Sequence, residues 1–213
     1  QQHDLVEQLS LNNNAVIDSV AGSGKRTCSL HISKHFSNMN ILLLTYNSKL
    51  KVETREKVKR MGINNLEVHS YHSFCVKYYD NKCFTDDGID KMIKKKRSKL
   101  KKFKFDLIIL DEAQDIKPLY YELVCKIYSN NNNKNAILCI FGDKKQSIFE
   151  FSGADRRYIE YAHEIFKFNS YNWVKRNLSV SFRITNEMSL FINKCLTKDD
   201  RIISNKITGI KPR

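Results

Sequence analysis

Short apolar runs rich in β-branched residues recur along the chain at residues 15–17, 41–44, 66–68, 107–110, 137–141 and 178–180. They read as buried strands. Most of the intervals between them can hold a helix, among them residues 27–36, 49–60 and 119–128. Strands alternating with helices predict an α/β fold with a mainly parallel sheet flanked by helices, in a RecA-like layer. Two segments break the rhythm. Residues 77–104, which contain DNKCFTDDG and then KMIKKKRSKLKKFK, predict a small basic insertion; its lysine-rich part reads as a helix with a rough apolar stripe of Ile89, Ile93, Leu100 and Phe103. Residues 129–135, SNNNNKN, read as a flexible loop without chemistry of its own.

A length of 213 residues allows one main domain with a small appendage. The formal charge of +14 changes the picture from fold to partner, because 37 Lys and Arg against 23 Asp and Glu favour a polyanion, nucleic acid first. With no apolar run of about 18 residues and no signal pattern, a soluble intracellular protein, cytoplasmic or nuclear and without a membrane partner, is expected. The six cysteines lie apart without a C-x-x-C pair and are expected to be free and buried rather than metal ligands or disulfides. The chain starts at Gln1 and ends in KITGIKPR, and both ends read as cuts in a longer polypeptide.

The first strand runs into DSVAGSGKRT, residues 18–27. This matches the P-loop pattern G-x-x-x-x-G-K-[ST] at its second glycine and lysine. Gly22 and Gly24 let backbone N–H groups of Ala21 to Thr27 curl around phosphate oxygens, and Lys25 reaches the terminal phosphates. Ser19 replaces the first glycine, and Arg26 replaces the hydroxyl that ligates Mg²⁺. An arginine has no lone pair to give a cation. Thr27, one residue on, is rotated about 100° around the helix and is expected to point away. A second strand ends in FDLIILDEAQD, residues 105–115, as a Walker B element requires. Asp111 is the expected Mg²⁺ ligand, and Glu112 the group that orients and deprotonates the attacking water.

With TYNSKLKVETREKV (residues 45–58), VHSYHSF (68–74), GDKKQSIFEFSGAD (142–155) and LSVSFRIT (178–185) in this order, the chain resembles superfamily 1 DNA helicases of the UvrD/PcrA type. The wording of these motifs is similar to versions from large DNA viruses and microbial eukaryotes. The resemblance implies an ATP-binding first RecA-like domain that uses ATP and Mg²⁺ to drive movement on single-stranded DNA and unwinding of the duplex; RNA stays open as the track. It implies that Gln2 reads the adenine edge, that Gln146 senses the γ-phosphate, that Arg183 stabilises transition-state charge, and that Phe182 stacks on adenine. It places a single-strand track along Thr45, Tyr46, Asn47, Tyr71, His72, Phe149 and Phe151, where aromatic rings stack on bases with little sequence preference.

The resemblance divides the chain into residues 1–76 and 105–185 as the two parts of the RecA-like domain, with 77–104 as a vestigial accessory insertion. Residues 186–213 then begin the connection to a second motor domain. Without that partner lobe the chain alone is expected to bind nucleotide weakly, to hydrolyse little and to unwind nothing. A hydrolysis-deficient nucleic-acid-binding or regulatory module, motivated by Arg26, is the alternative.

Overall fold

The computed structural model describes residues 1–146 and 150–206, apart from the side chain of Glu150. Six strands form one wholly parallel sheet: β1 (Asn14–Ser19), β2 (Ile41–Thr45), β3 (Leu66–Ser70), β4 (Leu107–Leu110), β5 (Ile137–Gly142) and β6 (Trp173–Leu178), in the order β3-β2-β4-β5-β1-β6. The inner strands β2, β4 and β5 are buried at every position, which is why their sequences are unbroken apolar runs. The outermost strand β6 is largely half-exposed and correspondingly polar.

Successive residues of the strands feed two cores. On one face Leu42, Leu44, Ile108, Leu110, Leu138 and Ile140 meet α4 (Tyr71–Tyr78), α5 (Asp86–Lys94) and α6 (Pro118–Asn130). On the other Ile41, Leu43, Leu107, Ile109, Ile137 and Cys139 meet α1 (Gln2–Ser10) and α2 (Lys25–His35), with α3 (Ser48–Arg60) beside them. The short helices α7 (Arg157–Glu160) and α8 (Ala162–Ile165) add Ile159 and Ala162 to the first core. The expected α/β architecture with helices on both faces is the one observed.

Three expectations change. Residues 178–180 are not one buried strand: β6 ends at Leu178, and β7 (Val180–Thr185) starts a separate two-stranded parallel sheet with β8 (Ile203–Lys206). The helix α9 (Asn186–Phe191), continued by a π-helical turn at Ile192–Thr197, connects β7 and β8. The lysine-rich helix stops at Lys94, and Lys96 takes a left-handed φ of 48°. Beyond it Leu100 is exposed, while Phe103 and Phe105 turn into the main core against Phe74 and Tyr78, so segment 77–104 is seated on that core.

The asparagine tract is also more than a loop. Asn131 is fully buried, its Oδ1 accepting from Phe105 N at 2.9 Å and its Nδ2 donating to Phe105 O at 2.8 Å, as a neighbouring strand would. Of the cysteines, Cys28, Cys75, Cys83 and Cys139 are buried, Cys125 is half-buried and Cys195 is exposed. No described helix is long and apolar enough to cross a membrane.

Candidate nucleotide cleft

Ligands of open parallel sheets sit at the carboxyl ends of the strands, and here β1 and β4 bring the P-loop and the acidic pair to that edge with β5 between them. Gly22 (φ 74°) and Gly24 (φ 83°) both need the left-handed region, and Gly24 caps α2. The loop is braced from β7: Ser181 Oγ donates to Ala21 O at 2.8 Å and Phe182 N to Gly22 O at 3.0 Å. A Cβ on Gly22 would lie 2.6 Å from the Arg183 Cβ, so glycine is what lets β7 lay Phe182 and Arg183 beside the phosphate loop.

A cleft of about 550 Å³ opens there, lined by the loop from Val20 to Thr27 together with Glu53, Lys57, Glu112, Gln146, Phe182 and Arg183. Thr27, expected to point away, is part of this wall. Gln2, in the first turn of α1, is outside it. Arg26 Nη1 bonds Glu53 Oε2 at 2.9 Å, tying the start of α2 to α3. Glu53 and Lys57 lie one helical turn apart on α3, within the segment 45–58 whose wording carries the resemblance, but were not singled out from it.

Lys25 Nζ stands 3.3 Å from Glu112 Oε2, with both side chains mostly buried. Glu112 is held at φ 54°, ψ 52°, a left-handed conformation that a non-glycine residue adopts at a cost. Beside it Asp111 is 2 % exposed; its Oδ1 accepts from Glu112 N, and its Oδ2 is buried without a hydrogen-bond partner. Burial and then the Glu112 carboxylate push the Asp111 carboxyl well above its ordinary range, while Lys25 and Arg26 pull it back. A buried carboxylate oxygen with no protein donor fits a divalent cation, and Mg²⁺ commonly takes one or two carboxylates with phosphate and water filling the rest. Arg26 at the second position contributes charge but no ligand atom.

Gln114 was not among the residues singled out by sequence, yet it joins the two halves of the cleft. Its Nε2 donates to Glu112 Oε2 at 3.1 Å and its Oε1 accepts from Asp143 N at 3.0 Å. Asp143 Oδ2 in turn accepts from Gln146 Nε2 at 2.7 Å. A continuous path of polar contacts therefore runs from Lys25 through Glu112, Gln114 and Asp143 to Gln146.

Residues 90–167 match the family model described as the UvrD/REP helicase N-terminal domain. The chain is 27 % identical over 166 residues to the RecBCD enzyme subunit RecB of Buchnera aphidicola subsp. Schizaphis graminum, covering 76 % of this chain and 12 % of that protein. It is 28 % identical over 180 residues to RecB of Buchnera aphidicola subsp. Acyrthosiphon pisum, covering 76 % and 15 %. Residues 90–167 therefore resemble a UvrD-like helicase N-terminal domain. The chain spans less than a sixth of the length of these RecB relatives. Among solved structures, the Pif1 helicase from Candida albicans superposes with a TM-score of 0.49 at 15 % identity, over 82 % of this chain and 39 % of that one.

The seven residues expected along a single strand do not form one exposed row. Thr45 and Tyr71 are buried, so their side chains do not reach a ligand at the surface; Tyr71 stacks on Tyr120 at 4.5 Å, in the core between α4 and α6. Tyr46 and His72 flank the same Tyr120, each at 5.9 Å, and His72 Nε2 lies 3.0 Å from Asp86 Oδ1. Asn47 is exposed and caps α3 through a 2.8 Å bond from Lys49 N. Phe151 is 86 % exposed. Phe149 lies outside the described residues. Tyr120, in the first turn of α6, is the ring on which these segments converge; it read in the sequence only as part of an apolar helix.

Proposed function

We propose that this chain is the ATP-binding portion of an ATP-dependent DNA helicase or translocase. In this reading residues 1–76 and 105–185 make the RecA-like domain, 77–104 replace an accessory domain, and 186–213 lead to a second RecA-like lobe that closes on the cleft. The observation that carries the reading is the 3.3 Å contact between Lys25 and Glu112 beside the buried, unpartnered Oδ2 of Asp111.

The chemistry follows from those positions. The triphosphate enters against the backbone of the P-loop, with Phe182 against the base. Lys25 exchanges Glu112 for the terminal phosphates, which frees the Glu112 carboxylate to accept a proton from water. That water attacks the γ-phosphorus as its bond to the β,γ-bridging oxygen breaks. Bound Mg²⁺, held from the protein side by Asp111, would neutralise charge on the β- and γ-phosphates. Arg183 and Gln146 line the same cleft, and in this reading Arg183 stabilises charge on the leaving oxygens. On the adjacent surface Tyr46, Asn47, His72 and Phe151 offer rings and polar groups to an unpaired strand, with Tyr71 and Thr45 supporting them from beneath.

The test is Mg²⁺-dependent ATP hydrolysis by the parent protein with and without single-stranded DNA. Stimulation by DNA, and its loss in Lys25→Ala and Glu112→Gln, is the expected result. A parent protein that hydrolyses no ATP on single-stranded DNA overturns the reading.

A further inference from the structure

We propose that Arg201 is a positioning residue that sets Gln146 for the terminal phosphate of the bound nucleotide, an inference that rests on the reading of the cleft as a triphosphate site. Asp18 and Asp143 stand at the ends of neighbouring strands, since Asp18 pairs in register with Gly142. Two carboxylates so placed repel one another, and Asp143 is only 3 % exposed at its side chain. Lys144 Nζ offsets Asp18 at Oδ2, 3.1 Å away, and Arg201 bridges the two carboxylates. Its Nη2 donates to Asp18 Oδ1 at 2.6 Å and its Nη1 to Asp143 Oδ1 at 2.7 Å, from a side chain 13 % exposed. A planar fork of donors is suited to spanning two separate carboxylates in this way.

The consequence for the cleft lies on the other oxygen of Asp143. Oδ2 accepts from Gln146 Nε2, while Asp143 N donates to Gln114, which holds Glu112. Among the described residues no other bond engages the second N–H or the Oε1 of Gln146, and both are offered to a ligand in the cleft. With Oδ1 held by Arg201 and by Lys145 N at 3.0 Å, the Asp143 carboxylate fixes the amide of Gln146 and, through the backbone at Asp143, one partner of Glu112.

Arg201 is itself anchored. Its neighbour Ile202 is held by buried Asn193, whose Nδ2 donates to Ile202 O at 2.9 Å and whose Oδ1 accepts from Ile202 N at 3.2 Å. The segment between α9 and β8 is thus fastened to the nucleotide-sensing side of the sheet. Any change of Gln146 on triphosphate binding is felt at Arg201, and any movement of that segment is felt at Gln146.

The experiment is equilibrium titration of this chain with fluorescent analogues of ATPγS and ADP, read as the ratio of the two affinities. The wild-type chain is expected to prefer the triphosphate. Arg201→Gln and Arg201→Lys are expected to cut that preference about tenfold, the loss of one charge-assisted contact, with ADP affinity kept. In a Gln146→Ala background, Arg201→Gln is expected to have no further effect on the ratio. Should Arg201→Gln not fold, Asp18→Asn removes one arm of the bridge and lowers the ratio in the same direction. A preserved ratio in the Arg201 variants, an equal loss of both affinities, or additivity with Gln146→Ala overturns the inference and leaves the cleft reading standing. A wild-type chain that binds neither analogue overturns the cleft reading and this inference with it.

Discussion

Arg26 Nη1 lies 2.9 Å from Glu53 Oε2, so the residue standing where a metal-binding hydroxyl is usual is already paired to α3. The pair sits in the wall of the cleft with Lys25, Lys57 and Arg183, and without nucleotide Glu53 offsets one of these cations. Arg26 brings a fixed positive charge to a place where a cation otherwise supplies it. Arg26→Thr removes that charge and restores a hydroxyl, so the factor by which Mg²⁺ tightens ATPγS binding is expected to rise by about tenfold. Glu53→Gln, which releases Arg26 towards phosphate, is expected to lower that factor. Titrations in Mg²⁺ and in chelator measure both; a factor unchanged in either variant contradicts the role given to Arg26.

At Gly22 the P-loop backbone runs close against β7. Gly22→Ala meets Arg183 Cβ at 2.6 Å and Ser181 Oγ at 2.9 Å with φ at +74°, so backbone strain and a backbone-level clash coincide. We expect a loss of about 2–4 kcal/mol in urea unfolding, together with loss of nucleotide binding. Gly62→Ala is the control. Its φ is +63° but nothing lies within 4 Å of the added carbon, so only the conformational cost of about 1 kcal/mol is expected. Equal losses at the two sites would show that β7 gives way freely.

The fold was legible where burial is two-sided, because the inner strands β2, β4 and β5 can only be apolar runs. It was misread at residues 178–180, where the apolar pattern spans the boundary between two sheets, and at residues 95–104, where the lysines suggest a helix. There Phe103 and Phe105 draw the chain inward instead. Residues proposed to touch phosphate carry motif spacing and so could be named: Gly22, Gly24, Lys25 and Glu112 line one cleft with Gln146, Phe182 and Arg183, and Asp111 is buried beside Glu112. Residues that work by bonding to those were not singled out, even where, as with Gln114 and Asp143, they lie inside a quoted motif. Gln114, Asp143 and Arg201 have meaning only once the strand ends are side by side, and Tyr71 read as a base-stacking ring although Tyr120 already stacks on it.

Glu67 gives a pH signature on the edge strand β3, away from the cleft. Its carboxylate accepts from His69 Nε2 at 3.1 Å, Lys77 Nζ at 2.6 Å and Tyr78 OH at 3.0 Å and 2.9 Å. These bonds, His69 first, hold it at about 2 against an ordinary 4.5. Burial lowers the His69 pKa, which favours a neutral ring that donates through Nε2 and accepts from Arg55 Nη2 at Nδ1. A carboxylate depressed in the folded state contributes stability above its unfolded pKa and loses it as pH falls through the folded one. The melting-temperature gap between the wild-type chain and Glu67→Gln is therefore expected to be constant above about pH 5 and to close between 4.5 and about 2. Because the side chain is 39 % exposed, the gap is expected to be a few degrees at most and to shrink in high salt. A gap independent of pH across that window would mean that shape, and not charge, holds the strand edge.

The lysine-rich segment divides into lysines already engaged and lysines that face solvent. Lys94 pairs with Asp90, Arg97 with Asp80, and Lys99 donates to Asn130 O and Asn132 Oδ1. Lys95, Lys96, Lys101 and Lys102 are exposed and carry no ion pair among the described residues. An engaged cation releases few counterions when a polyanion arrives, whereas a solvated one releases close to one for each phosphate it meets. Changing Lys95, Lys96, Lys101 and Lys102 together to glutamine is therefore expected to lower the slope of log affinity for DNA against log salt by about one to three. Lys94→Gln with Arg97→Gln is expected to change it by less than about one, although both sets remove positive charge from the same segment. Fluorescence anisotropy of a labelled oligonucleotide across a salt series separates the two sets. Equal slopes in the wild type and the quadruple variant would mean that the loop is a solvated surface and that the DNA lies elsewhere on the domain.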